Sequence, residues 1–334
     1  MEAQDRLISR LDSQYFPPRG ARLVVAVSGG VDSVVLLHIL ILLAATGWNW
    51  DLVVAHFNHQ LRKSAKADAK FVAGLAKGLG LKFVLGSADV AKLAKARKLT
   101  IEEAGRVARY GWLNQLMKRH RAAVVVTAHT ADDQVETVVM NWVRGGLIRA
   151  LAGMRVREGN IWRPFLPIPK TELLKFAKHY HLQFKEDKSN QKLIYTRNLV
   201  RHRILPMLTQ INPGVYEVFL RNAASFSAVE DWLDKQMQDI YKRVSLPSRK
   251  NEVFFDDKKF RRLDKFPQKE LLLLAIRKLK GDSQDIKNIH LDEILKVLSS
   301  PRGAVWAQLP GKLFVYRGYG KISFSRYPPK FVSK

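Results

Sequence analysis

Two glycines flanked by serines, Ser28-Gly29-Gly30-Val31-Asp32-Ser33, join the apolar run Leu23–Val27 to a second apolar stretch. Glycines let backbone pass close to an anion, Ser28 and Ser33 offer hydroxyls, and a helix starting at Val31 adds unpaired N–H groups and a positive dipole end. These residue types in this order make a phosphate cradle. Neither the G-x-x-x-x-G-K-S/T pattern nor G-x-G-x-x-G is present, so an ordinary P-loop or dinucleotide site is not indicated. Asp32 is the odd member, and a carboxylate among phosphates makes sense if it holds Mg2+ between their oxygens. A strand-to-helix turn capped by serines is the plain alternative.

A second constellation is Thr127-Ala-His129-Thr-Ala-Asp132-Asp133-Gln134-Val-Glu136. Spacings of three and four put His129, Asp132 and Glu136 on one side of a helix start. Capping accounts for one carboxylate, not for three together with a histidine. Arg106 and Arg109 share a helix face, where they could clamp phosphate or stabilise charge developing on it, although a solvated charged face is the commoner fate of such a pair. His56, His59 and Arg62 cluster after another apolar run. With no cysteine in the chain and no third ligand at metal spacing, phosphate or nucleotide contact suits them better than zinc, and a surface loop is the alternative.

The elements that must position these groups alternate along the chain. Leu23–Val27, Leu52–His56, Phe83–Leu85 and Ala123–Thr127 read as buried strands, rich in β-branched residues. Val31–Leu43, Ser64–Leu79, Ile101–Met117 and Asp133–Val143 read as helices, the third opened by a Thr100-x-x-Glu103 capping box. This rhythm predicts an α/β domain with a doubly wound parallel sheet, in which ligands bind outside the carboxyl ends of the strands. Both polar constellations fall there. After the proline-rich stretch Arg163–Pro169, a helix is expected over Thr171–Tyr180 and a long amphipathic one over Val215–Val244. Short strands are expected between Pro301 and Phe324. The division predicted is a catalytic domain over 1–212 and a smaller C-terminal α+β domain over 213–334.

Charge narrows the partner class. Lys and Arg number 57 against 30 Asp and Glu, a net +27 spread along the chain, and such a field attracts polyanions through counterion release. With an apolar fraction of 47%, this favours nucleic acid over simple solubility or an anionic lipid surface. The absence of cysteine excludes disulfides, thiolate metal sites, iron–sulfur clusters and a cysteine nucleophile. The N-terminus carries no secretory signature, and the run Val34–Ala45 is short of the ~20 residues a membrane span needs. A cytoplasmic location with no membrane partner is expected.

The cradle hexapeptide resembles the pyrophosphate loop of the ATP pyrophosphatases. Taken with HFNHQLR (56–62), the Glu102 to Tyr110 run, HTADDQVET (129–137), LAGM (151–154) and EDKSNQKLIYTRNLVRHRILP (186–206), the chain resembles the tRNA(Ile)-lysidine synthetases. The resemblance implies ATP-dependent ligation of free L-lysine to carbon 2 of the wobble cytidine of tRNA(Ile) with a CAU anticodon. In that family the reaction passes through an adenylated cytidine. It also implies that Ser28, Gly29, Gly30, Val31, Asp32 and Ser33 bind ATP with Asp32 on Mg2+. Arg109 and His129 would act near the α-phosphate, and Glu136 would meet the incoming lysine. The C-terminal domain would bind tRNA, and a homodimer stays open. Asn58, Gly105 and Gly145-Gly146-Leu147 depart from the family's usual residues. Two other readings compete, another tRNA-modifying enzyme with the same loop and a basic RNA-binding module with an inactive ATP site. The thiolation enzymes among the former use cysteines that this chain lacks.

Overall fold

The computed structural model describes residues 7–61, 65–145, 148–185, 196–248, 251–281, 286, 288–301 and 303–328. The chain divides into two compact units, Met1–Ser227 and Ala228–Lys334.

The first unit runs β1 (Arg22–Ala26), α1 (Val31–Leu43), β2 (Asp51–Asn58), α2 (Ala65–Gly78), β3 (Lys82–Ser87), α3 (Val90–Arg97), α4 (Ile101–Arg119) and β4 (Val124–Val126). It continues through α5 (Ala131–Val143), α6 (Ile148–Leu151), β5 (Arg157–Glu158), β6 (Ile161–Trp162), α7 (Lys170–His179), α8 (Thr196–Leu199) and α9 (Leu205–Ile211). The division between units falls inside α10 (Val215–Val244).

The sheet order is β3-β2-β1-β4-β6-β5, parallel except for the β5–β6 edge. The expected doubly wound sheet is present. Its strands read as unbroken apolar runs because both faces are covered. Leu23, Val25, Leu52, Val54, Val124 and Val126 enter one core with α1 and α7, while Val24, Val53, Ala55 and Val125 enter another beneath Leu113 and Leu116 of α4. Helix α1 and the turn after it, Val31–Trp48, are apolar enough by composition to cross a membrane, but half of that window is buried in the unit. Its apolarity is explained by packing between the sheet and α7.

From β1 the chain goes out to β2 and β3 and returns to β4 on the opposite side of β1. That reversal is a topological switch point, and it opens a crevice at the carboxyl ends of β1 and β4. The loop after β1 and the start of α5 therefore become neighbours although about a hundred residues separate them.

The second unit carries an antiparallel sheet ordered β7-β8-β11-β10-β9, built from β7 (Ser245–Leu246), β8 (Glu252–Asp256), β9 (Val305–Leu309), β10 (Leu313–Gly318) and β11 (Lys321–Ser325). Helices α11 (Asp257–Arg261), α12 (Lys265–Lys280) and α13 (Asn288–Leu298) complete it, and Phe255, Ile276, Ile294, Val315 and Phe324 lie in its core. The strands expected after Pro301 are β9 to β11.

Candidate active site

The loop between β1 and α1 is held open by its own side chains. Gly29 has φ +96°, which L side chains rarely adopt, and a Cβ there would lie 3.3 Å from a Val72 methyl. The Lys185 N–H donates to the Gly29 carbonyl at 2.9 Å, clamping the turn from a distant part of the chain. The Ser33 hydroxyl accepts from the N–H groups of Ser28 and Gly29, both at 3.2 Å, and donates to the Gly30 carbonyl at 2.9 Å. A hydroxyl oxygen thus takes the amide donors that an anionic oxygen would use. Gly30 caps α1 without a side chain, leaving the helix N-terminus open to an anion.

Asp32 stands in the first turn of α1. Its Oδ2 accepts from Lys170 Nζ at 3.2 Å, while Oδ1 is buried and has no hydrogen-bond partner. Burial raises the Asp32 carboxyl above its usual range, Lys170 pulls it back, and Asp133 and Asp132 add to the rise. A buried carboxylate oxygen without a donor, beside an anion cradle, is what a cation bridging to phosphate would use. Among the described residues no three His, Cys, Asp or Glu side chains gather as a metal cage.

Across the crevice, Thr130 caps α5 in a reciprocal box with Asp133, so the helix opens earlier than the Asp133 start read from the sequence. Asp132 is turned outward to accept from the Lys170 N–H at 2.8 Å, tying the start of α7 to the start of α5. His129 lies just before the cap with Nδ1 2.9 Å from the Thr127 hydroxyl. Burial, reinforced by Arg109, Arg163 and Arg106 and opposed by Asp133, brings the His129 pKa down to about 3. Its imidazole is neutral at physiological pH. Asp133 is held below the usual carboxylate range against its own burial by the Thr130 N–H and by Arg197 and Arg201.

Glu136 is the most enclosed of these groups, 1% exposed. Arg201 grips it at two points, Nε to Oε1 at 2.5 Å and Nη2 to Oε2 at 3.0 Å, and Arg197 Nε lies 3.1 Å from Oε2. Burial pushes the Glu136 carboxyl up despite these cations. Arg109 and Arg106 both lie over the Tyr110 ring, at 5.2 and 5.0 Å. Burial pulls the Arg109 guanidinium below its usual range, and Arg106 and Arg197 add to that.

A family model for the PP-loop domain matches residues 3–208, more than half of the chain. The tRNA(Ile)-lysidine synthase of Clostridioides difficile is 30% identical over 318 residues, covering 94% of this chain and 68% of that protein. The chain belongs to the tRNA(Ile)-lysidine synthase family. The bifunctional protein TilS/HprT of Listeria monocytogenes is 32% identical over 313 residues, 91% of this chain, of which this chain spans 47%, about half. In fold, the chain is similar to the U34-tRNA thiolase NcsA of Methanococcus maripaludis, with a TM-score of 0.57 and 17% identity over 67% of this chain and 77% of that one.

Against the family's motifs, the crevice brings together Asp32, Asp132, Asp133, His129 and Glu136, with Arg109 beside His129. His56 stands elsewhere in kind: it is buried in β2 with Nδ1 2.8 Å from the Val27 carbonyl, bracing the strand that feeds the cradle and leaving Nε2 for any ligand. His59 packs over α4, its Nδ1 3.1 Å from where a Gly105 Cβ would be, which gives a steric reason for glycine there. Arg62 and residues 186–195 lie outside the described residues. Sequence reasoning had not singled out Lys170, Lys185, Arg197 or Arg201. The two arginines stand four apart within the motif 186–206, a spacing that brings side chains to one helix face.

Proposed function

We propose that this chain makes lysidine, using ATP to activate the wobble cytidine of tRNA(Ile) with a CAU anticodon and then joining free L-lysine to it. The observation that carries the reading is the partnerless, buried Oδ1 of Asp32 beside the glycine turn, close to Asp133 and Asp132. In the first step the carbon-2 oxygen of cytidine attacks the α-phosphorus of ATP and pyrophosphate leaves. In the second, a lysine amine attacks carbon 2, AMP departs with the bridging oxygen, and the amine's proton is released.

The loop amides of Ser28 to Ser33 and the N-terminus of α1 would hold the triphosphate. Mg2+ on Asp32 would draw charge off the phosphate oxygens. Arg109, a cation at every working pH, would face the charge that develops at the α-phosphorus. A group with a pKa of about 3 is a poor base at neutral pH, so His129 would orient cytidine by hydrogen bonding, with Thr127 setting the ring. Asp132, Asp133 and Glu136 would offer carboxylates to an ammonium group, which would have to displace an arginine from Glu136 to reach it. The basic balance of the chain suits tRNA, and Ala228–Lys334 is the part we assign to RNA binding.

The test is incubation with ATP, Mg2+, labelled L-lysine and total bacterial tRNA, counting label that survives mild alkali. Alkali-stable lysine on RNA is expected. tRNA-dependent pyrophosphate release without incorporated lysine would leave another PP-loop tRNA-modifying reaction standing. RNA binding without pyrophosphate would leave a binding module.

A further inference from the structure

The sheet of the second unit buries one face and leaves a second set of aromatic residues on the other. Val253, Phe255, Val315, Ile322 and Phe324 face the core. On the other face the strand register sets Phe254, Ser323, Tyr316 and Trp306 in one row across β8, β11, β10 and β9. The adjacent row is Glu252, Ser325, Phe314 and Gln308. All eight are at least part-exposed, Trp306 at 40%.

Two details make this face flat. A Cβ on Gly318 would lie 2.0 Å from the Tyr316 hydroxyl and 2.5 Å from its Cζ, so the ring runs along the strand over the glycine instead of standing off it. The Trp306 and Phe314 rings tilt by 41° with centroids 6.4 Å apart, leaving ring surface to solvent. At the tip of the β10–β11 hairpin, Tyr319 has φ +51° and is 96% exposed.

Charge selects the occupant. No Asp or Glu occurs after Glu293, so β9, β10, β11 and their turns carry no carboxylate side chain, while Lys312 and Lys321 stand exposed beside the aromatic rows. The acids on the face, Glu252 and Asp256, are both on β8, and Asp256 is in register with Lys321. A protein partner would ask for a closed apolar patch. The β9 to β11 part of the face has serine and glutamine between its rings, no acid, and Lys312 and Lys321 at its edge, which match a polyanion whose units have π-faces.

We propose that the outer face of β8 to β11 is a stacking platform for unpaired nucleotides of RNA, with Trp306, Phe314, Tyr316 and Tyr319 beneath the bases. It rests on the reading above only for the identity of that RNA, an unpaired segment of the tRNA substrate.

The test compares the full chain with its Trp306→Ala and Tyr319→Ala variants, by fluorescence anisotropy, on a labelled 12-nucleotide single-stranded RNA and on a fully paired RNA duplex. Each variant should bind the single strand about 5–150-fold more weakly, the range for one lost stacked base, and the duplex as before. Trp306→Phe should restore most of the loss, and the salt slope of the alanine variants should be unchanged because no phosphate contact is removed. Unchanged single-strand affinity, or equal loss on both RNAs, would overturn the proposal. So would sedimentation showing a dimer that Trp306→Ala dissociates, because the face would then join two copies. If lysine incorporation fails while aromatic-dependent single-strand binding persists, the platform stands and the reaction assignment falls.

Discussion

Replacing Arg201 with methionine removes the bidentate partner of a carboxylate that is 1% exposed. At about 3 Å and an effective dielectric near 20, each guanidinium–carboxylate pair is worth roughly 5 kcal/mol before desolvation is counted. Breaking a buried pair costs about 3–5 kcal/mol net, since the remaining charge is left without its partner. Two features lower this figure. Arg197 remains 3.1 Å from Oε2, and the Arg201 side chain is 29% exposed, so water already shares its charge. We expect a loss of about 2–3 kcal/mol, which in a unit of this size lowers Tm by roughly 4–10 °C. The assay is thermal unfolding at pH 7 by near-ultraviolet circular dichroism, to which the packed rings of Phe16, Trp48, Trp50 and Trp162 contribute. The double variant Glu136→Gln/Arg201→Met should be less destabilised than the two single effects added together, by at least about 1 kcal/mol, because one interaction is lost twice in that addition. A Tm change under about 1 °C in Arg201→Met, or additive single effects, would refute the view that Glu136 depends on this arginine.

Gly29→Ala should lower stability by about 1–2 kcal/mol and weaken ATP binding at least tenfold, since the new methyl meets Val72 and φ is +96°; calorimetric titration giving wild-type ATP affinity would contradict the cradle. His129, with a pKa near 3, is neutral when folded, while the unfolded chain takes up its proton below about 6.5. Its contribution is fully present above pH 6.5 and is lost as pH falls, so the stability of the wild type relative to His129→Gln should drop by up to about 1.4 kcal/mol per pH unit between 6.5 and 4. Urea titrations across that range giving parallel curves would show that the ring is not buried neutral. Lys170→Met should cost under about 1 kcal/mol, because the pair with Asp32 is partly exposed. It should nevertheless tighten Mn2+ binding to the nucleotide-free protein, read by electron paramagnetic resonance, because the cation no longer competes with Nζ; weaker or unchanged binding counts against Asp32 as the metal group.

The parts of the fold legible in sequence were those governed by local pattern. β1, β2 and β4 read as strands because each is apolar on both faces, and the glycine cradle was visible because no other residue type adopts its turn so easily. Short elements escaped. β5 and β6 hold two residues each, too few for a period, and α3 spans Val90–Arg97, where Asp89 caps the start and Lys98 ends it in the left-handed region. The site was half legible for a related reason. Asp32, His129 and Glu136 stand out as polar groups beside apolar runs, whereas Lys170, Arg197 and Arg201 look like any surface cation until the fold delivers them to buried carboxylates. His56 shows the converse: the strand expected to end there runs on to Asn58, and its buried ring bonds the Val27 carbonyl of the neighbouring strand.

The clamp from Lys185 to Gly29 sets an order of events during synthesis. Ser33 leaves the ribosome roughly 150 residues ahead of Lys185, which at about 5–20 residues per second is a delay of roughly 8–30 seconds. For most of that interval the nascent cradle has neither its clamp nor Lys170 beside Asp32. The clamped form of the cradle, with Lys170 on Asp32, therefore arises only late, once α7 and the residues up to Lys185 have docked.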